Sequence, residues 1–95
     1  MEKSTLVIEN SIPSVKIGPN PFTDFLNIDM EKSSDYDITI LGIDGKVCYK
    51  NRFFDMVNNK LNLSFLTPGI YVLNINSARN SEPVKDFKIV KLTED

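Results

Sequence analysis

The chain carries no histidine and one cysteine, Cys48, among its 95 residues, which removes most of the chemistry a small domain can perform. Histidine is the usual general base near neutral pH and the commonest transition-metal ligand, so both roles lose their first candidate. Cys48 lies between Val47 and Tyr49 in a strand-like segment. With no imidazole to take its proton it reads as a buried structural thiol, and with no second cysteine it closes no internal disulfide. The carboxylates Asp24, Asp29, Glu31, Asp35, Asp37 and Asp44 remain. They lack the alternating ligand spacing of a calcium loop, and no pair sits in the apolar setting that raises one pKa for glycoside hydrolysis. The expectation is a domain without catalytic group, metal or cofactor.

The composition points the same way. Hydrophobic residues make up 41% and charged residues 25%, ordinary values for a globular chain and too apolar for disorder. A net charge of −2, with both signs scattered, leaves no electrostatic footprint for nucleic acid and no basic run for an anionic membrane. No apolar run approaches the ~20 residues of a membrane helix, and the segment after Met1 is too short for a secretory signal peptide.

The elements that must position any site read as strands. Thr5–Glu9, Ser14–Ile17, Phe25–Met30, Asp35–Leu41, the segment around Cys48, Lys60–Phe65, Ile70–Ile75 and Val84–Leu92 recur at close intervals with turn residues between them. Glu31–Asp35, Arg52–Asn59 and Asn76–Glu82 read as polar loops or connections. Pro19-Asn20-Pro21 is a stiff turn, because each proline fixes its own φ and pushes its predecessor out of the helical region. Asp44-Gly45 reads as a two-residue hairpin turn, which places Gly42 opposite Val47, Leu41 opposite Cys48 and Ile40 opposite Tyr49. Pro68-Gly69 suits a type II turn with positive φ at Gly69. By alternation Leu26, Ile28 and Met30 share one side of their strand, Tyr36, Ile38 and Ile40 one face of theirs, and Leu61, Leu63 and Phe65 another. Tyr71, Leu73 and Ile75 alternate with Ile70 and Val72, so both faces of that strand read as covered, as in a central strand. The fold class that follows is all-β: an antiparallel β-sandwich of seven or eight strands with immunoglobulin-like character.

Four motifs in fixed order carry a resemblance. Ile17-Gly18-Pro19-Asn20-Pro21, followed by Phe22 and the strand Thr23–Ile28, is similar to the opening of the C-terminal sorting domain of type IX secretion cargo, with Gly18 where that family usually has tyrosine. Ile43-Asp44-Gly45-Lys46-Val47 is similar to its Asp-x-x-Gly-Lys-x-Val hairpin, with the customary earlier aspartate or tyrosine replaced around Leu41-Gly42. Leu63-Ser64-Phe65-Leu66-Thr67-Pro68-Gly69-Ile70-Tyr71 lies close to its consensus, and Lys88-Ile89-Val90-Lys91 matches its terminal strand. The resemblance spans residues 15–92 and implies a sorting domain over 15–95, with 1–14 as an N-terminal strand or linker continuous with it, and recognition residues Pro19, Asn20, Pro21, Phe22, Asp44, Gly45, Lys46, Pro68, Gly69, Tyr71, Lys88, Val90 and Lys91.

That resemblance further implies a non-catalytic address label, used in Bacteroidetes to carry an upstream cargo through the outer-membrane secretion machinery to the cell surface or medium. A sortase-like surface protease then usually removes the label and attaches the cargo to lipopolysaccharide. Such a label is expected to be part of a longer precursor. Lys85, Lys88 and Lys91 cannot share one strand face, so some of them are expected at the ends or rim of the last strand, where they meet a partner or keep an edge from pairing. The alternative reading is a carbohydrate-binding or adhesion module that stacks sugars on Tyr36, Tyr49, Phe53 or Phe54. Thermal unfolding is predicted to be unchanged by chelator or reductant; a fall of many degrees with chelator would contradict the metal-free reading.

Overall fold

The computed structural model describes residues 14–93. Among them there is no helix, and five strands form one antiparallel sheet: β1 (Val15–Gly18), β2 (Phe25–Gly42), β3 (Val47–Asn62), β4 (Gly69–Ser77) and β5 (Pro83–Lys91). The sheet runs β1-β2-β4-β5, with β3 paired to β2. Five described strands replace the expected seven or eight, because expected neighbours merge into two long strands. The expected Thr5–Glu9 strand lies outside the described residues.

The merging has a local cause. Glu31–Asp35 and Arg52–Asn59 are polar enough to read as loops, yet they face each other inside the β2–β3 pair. Residues 30–33 lie between the Asp29–Asn58 and Ser34–Met56 pairs, with only Val57 opposite; then Phe54 and Asp55 stand against Asp35 alone, before Tyr36 meets Phe53. Together they leave β2 two residues longer than β3 across this stretch, an even number that keeps the alternation in phase, and local twist and bending are what bulges supply. Asp55 takes a positive φ of 51° here, and its amide donates to the Asp35 carboxylate at 2.9 Å. The polar residues serve the bend.

Each half of β2 has its own partner on the side away from β3. Val15–Gly18 pairs with Asn27–Met30, while Tyr36–Gly42 pairs with Tyr71–Ser77. Period-two alternation buries one face of β2 and β4: Leu26, Ile28, Met30, Tyr36, Ile38 and Ile40 from β2 and Tyr71, Leu73 and Ile75 from β4 join one cluster with Ile89 of β5, Met56 and Leu61 of β3, Leu63 and Phe22, and Val15 and Ile17 of β1 pack against it half-buried. Burial pushes the Tyr36 phenol above its ordinary pKa, and its hydroxyl donates to the Lys32 carbonyl at 2.8 Å. β4 is central, as its composition implies, but only one of its faces is covered. Ile70 is exposed and Val72 half-buried. Phe65 also departs from expectation. β3 ends at Asn62, whose carboxamide oxygen accepts from the Ser64 amide and hydroxyl, and the turn then buries Leu66 and leaves Phe65 exposed.

Two turns differ from the sequence reading. In the β2–β3 loop the Gly45 amide donates to the Gly42 carbonyl at 2.9 Å and the Gly42 amide to the Lys46 carbonyl at 2.8 Å. That is a three-residue loop, Ile43-Asp44-Gly45, with Gly45 at φ 84° in the left-handed position. The register still pairs Ile40 with Tyr49, but Leu41 meets Val47 instead of Cys48, which is left unpaired at the irregularity and is exposed rather than buried as expected from the sequence. Gly69 has φ 156°, positive but close to extended, as suits the first residue of β4 and unlike the ~80° of a type II turn.

On the outer face the Arg52 guanidinium grips Asp37 with Nε at 2.7 Å and a second nitrogen at 3.2 Å, and this hydrogen bonding holds the carboxyl below its usual range. Its stabilising effect is present above the unfolded carboxylate pKa and is lost as pH falls through the lowered folded value. Arg52→Ala should bring the Asp37 midpoint, followed by NMR titration, back up to an ordinary carboxylate value; an unmoved midpoint would mean that the pair does not form. Gly45→Val should destabilise by about 1–3 kcal/mol in chemical denaturation, through backbone strain alone, since no atom lies within 4 Å of an added Cβ. Parental stability would contradict the loop geometry.

Candidate recognition site

Asn20, held between two prolines, is the hinge of the site. Its carboxamide lies along the outer edge of β5, donating from Nδ2 to the Lys88 carbonyl at 2.9 Å and accepting from the Val90 amide at Oδ1 at 3.0 Å. The side chain thereby imitates a neighbouring strand's peptide group. The main chain then takes over: the Phe22 amide donates to the Val90 carbonyl at 2.9 Å, and the Leu92 amide to the Phe22 carbonyl at 2.8 Å. Phe22 and Lys91 so form a parallel bridge, and the Phe22 ring is 1% exposed in the core. A proline has no amide hydrogen, so Pro19 and Pro21 compete for none of these acceptors. Both are exposed, and the peptide bonds preceding them are cis.

The other motif residues gather at the same end of the sheet. Gly42 pairs with Tyr71, and Tyr71 pairs with Ile89, so the ends of β2, β4 and β5 are aligned. Asp44, Gly45 and Lys46 lie in the loop just beyond Gly42, and the Asp44 carboxylate accepts from the Lys46 amide at 3.0 Å. Pro68 precedes Gly69, which pairs with Lys91. Tyr71 is buried, with its hydroxyl donating to the Thr67 carbonyl at 2.6 Å, so the Thr-Pro-Gly-Ile-Tyr motif fastens its own turn. All four motifs therefore border one edge of the molecule. Asp44–Lys46 stands at its β2–β3 corner, away from the Asn20 contact.

The lysines divide by strand parity. Lys88 points outward and is exposed, whereas Lys91 continues the inward series of Phe87 and Ile89 and is 6% exposed. Lys85 shares that inward parity but sits at the exposed start of β5, with its ammonium 5.9 Å from the Phe87 ring centre. The carboxylates already have other duties: Glu31 accepts from the Ser14 amide, Asp35 from the Asp55 amide, and Asp37 from Arg52. Among the described residues no group of three or more His, Cys, Asp or Glu is placed to hold a metal ion. Tyr36 is buried, Tyr49 and Phe53 are half-buried, and Phe54 alone of the four aromatics is exposed, so they make no shared stacking platform.

The Asn20 contact with β5 was not legible in advance. The only signal is an amide side chain locked between two residues that cannot donate, and such a signal names no acceptor.

The described residues thus form a small all-β domain whose motifs gather at one end of the sheet. Its sequence matches the family described as the secretion system C-terminal sorting domain over residues 16–91, most of the chain. A comparison with curated proteins finds no match. The chain belongs to this sorting-domain family. It is a C-terminal signal for type IX secretion, which directs the protein carrying it across the outer membrane to the cell surface or the medium and which therefore engages the type IX machinery.

Asn20→Ala should destabilise the domain by about 1–2 kcal/mol and speed hydrogen exchange at the Val90 amide, since both of its partners lose a bond at the strand edge. Asn20→Asp keeps the acceptor but loses the donor, and should fall between the two. Unchanged exchange at Val90 in Asn20→Ala would contradict the clip.

Proposed function

We propose that the sorting signal is read as a folded surface made jointly by the Pro-Asn-Pro-Phe clip, the Asp-Gly-Lys loop, the Pro-Gly turn and the last strand. The observation that carries this reading is the bidentate Asn20 contact with Lys88 and Val90, which makes one surface of two segments almost 70 residues apart. Pro19, Asn20, Pro21, Asp44, Lys46, Pro68 and Lys88 supply its exposed groups. Phe22, Gly45, Gly69, Tyr71, Val90 and Lys91 hold those groups in place. The domain contributes no catalytic residue of its own; it is a ligand of the secretion machinery and is afterwards removed by a sortase-like protease. Residues 15–95 form the folding unit and residues 1–14 the connection to the cargo.

A sandwich of immunoglobulin-like character fits this role, because it offers a rigid scaffold with motifs at one end. Two observations support it. A straight strand of 18 residues spans about 60 Å, yet Phe22, three residues before β2, lies beside Lys91, on a strand only two places from the other end of β2. The strand therefore doubles the sheet into two layers at its bend. Tyr71 near the start of β4, bonded to a carbonyl four residues upstream, has the geometry of a tyrosine corner.

The test is export of a reporter fused to the 95-residue chain in a host with a working type IX system. Lys88→Ala with Lys91→Met removes two cations while keeping most of the buried Lys91 stem, and both fusions are checked for folding by circular dichroism. Export of the parent and retention of the folded variant are expected. Normal export of the variant would leave these lysines as protection of the strand edge only.

A further inference from the structure

The outer face of the β3-β2-β4-β5 sheet has two unlike halves. Away from the motif end it is polar: Asp37 pairs with Arg52, Thr39 lies opposite Lys50, and the Asn74 amide donates to Asp86 at 2.7 Å. Toward the motif end the same strands present Val47, Leu41, Val72, Ile70 and Val90. Register makes these neighbours, since Leu41 pairs with both Val47 and Val72, and Ile70 pairs with Val90. Val47 is 55% and Ile70 45% exposed, as is Leu92, the next residue in the alternation of β5. A sheet face that meets only water is expected to stay polar along its length. A contiguous apolar half marks an interaction surface.

We propose that this half-face docks on the secretion machinery, and that the matching surface is apolar with a rim of carboxylates. The proposal rests on the sorting function and deepens it. The exposed cations at the border are Lys46 beside Val47 and Lys88 opposite Val72, with Lys50 one row further along. The nearby carboxylates are engaged within the chain, Asp44 by the Lys46 amide and Asp86 by Asn74. Lys46 and Lys88 lie at opposite ends of the row Val47, Leu41, Val72, Lys88. A second copy docked about a twofold axis through the middle of that row sets Lys88 of one chain over Lys46 of the other, cation on cation, which disfavours self-association. The half-face holds no aromatic side chain, the residue type that anchors proteins in a lipid interface.

The test uses the 95-residue chain fused to a reporter, in the secreting host. Val47→Glu with Ile70→Glu places carboxylates inside the apolar half; Lys46→Glu with Lys88→Glu reverses its border. Thr39→Glu with Asn74→Glu puts the same charges on the polar half. Thermal unfolding of each purified fusion verifies the fold, and Val47→Ser with Ile70→Ser replaces the first pair should it not fold. Both sets on the apolar half should lower the exported fraction by about tenfold or more, and the polar-half pair should leave it unchanged. Normal export of the folded Val47/Ile70 variant overturns the docking surface while leaving the sorting function intact. Retention of the parent fusion inside the cell is a different result and contradicts the sorting function itself. A parent dimer in sedimentation that Val47→Glu with Ile70→Glu abolishes, or flotation with phosphatidylglycerol vesicles lost in the same variant, overturns the assignment of the surface to the machinery.

Discussion

The Asn20 carboxamide, bonded to the backbone of Lys88 and Val90, ties the beginning of the described chain to its end. Through these two hydrogen bonds and the Phe22 bridge that follows, the edge of β5 gains a neighbour although no further strand runs there among the described residues. An open edge offers unpaired amides and carbonyls to any passing strand. The clip covers that edge at the motif end and seats the Phe22 ring in the core. Hydrogen bonding at an exposed edge contributes modestly, whereas burial of a phenylalanine is worth about 1.5–3 kcal/mol, so Phe22 supplies most of the energy and Asn20 the register.

The bend in the β2–β3 pair is the second constraint. Leu26, Ile28 and Met30 join the same core cluster as Tyr36, Ile38 and Ile40, with which they share parity along β2. The irregularities in the two strands turn the pair without disturbing which face is apolar. Asp35 and Asp55 hold the turn by a side-chain bond, and the irregularity nearer the motif end is limited to one extra residue, Cys48, between the Ile40–Tyr49 and Leu41–Val47 pairs. Stiffness at that end suits a surface recognised by shape, because little conformational freedom is lost on docking.

Much of the core was legible. Period-two alternation identified Leu26, Ile28, Ile38, Ile40, Leu73 and Ile75 correctly, and the Ile40–Tyr49 pair followed from turn chemistry. Polarity misled at Glu31–Asp35 and Arg52–Asn59, because a bulged strand and a loop need the same kinds of residue. Asp-Gly suited two loop lengths, and only the hydrogen bonds of Gly42 with Lys46 and Gly45 reveal the longer one. Ile70 and Val72 read as buried because hydrophobicity alone does not reveal whether a second layer lies above. The order of the motifs named the family, but not the fact that the first and last of them touch.

The central claim is that export reads an assembled surface and not a linear tail. Ile38→Asp with Leu73→Asp destroys the core while leaving every motif residue in place. Full-length reporter bearing this pair, separated into exported and cell-retained fractions in a type IX host, measures the claim most directly. The account predicts retention of the intact fusion inside the cell envelope beside normal export of the parent. Export of the unfolded variant at the parental level would contradict it.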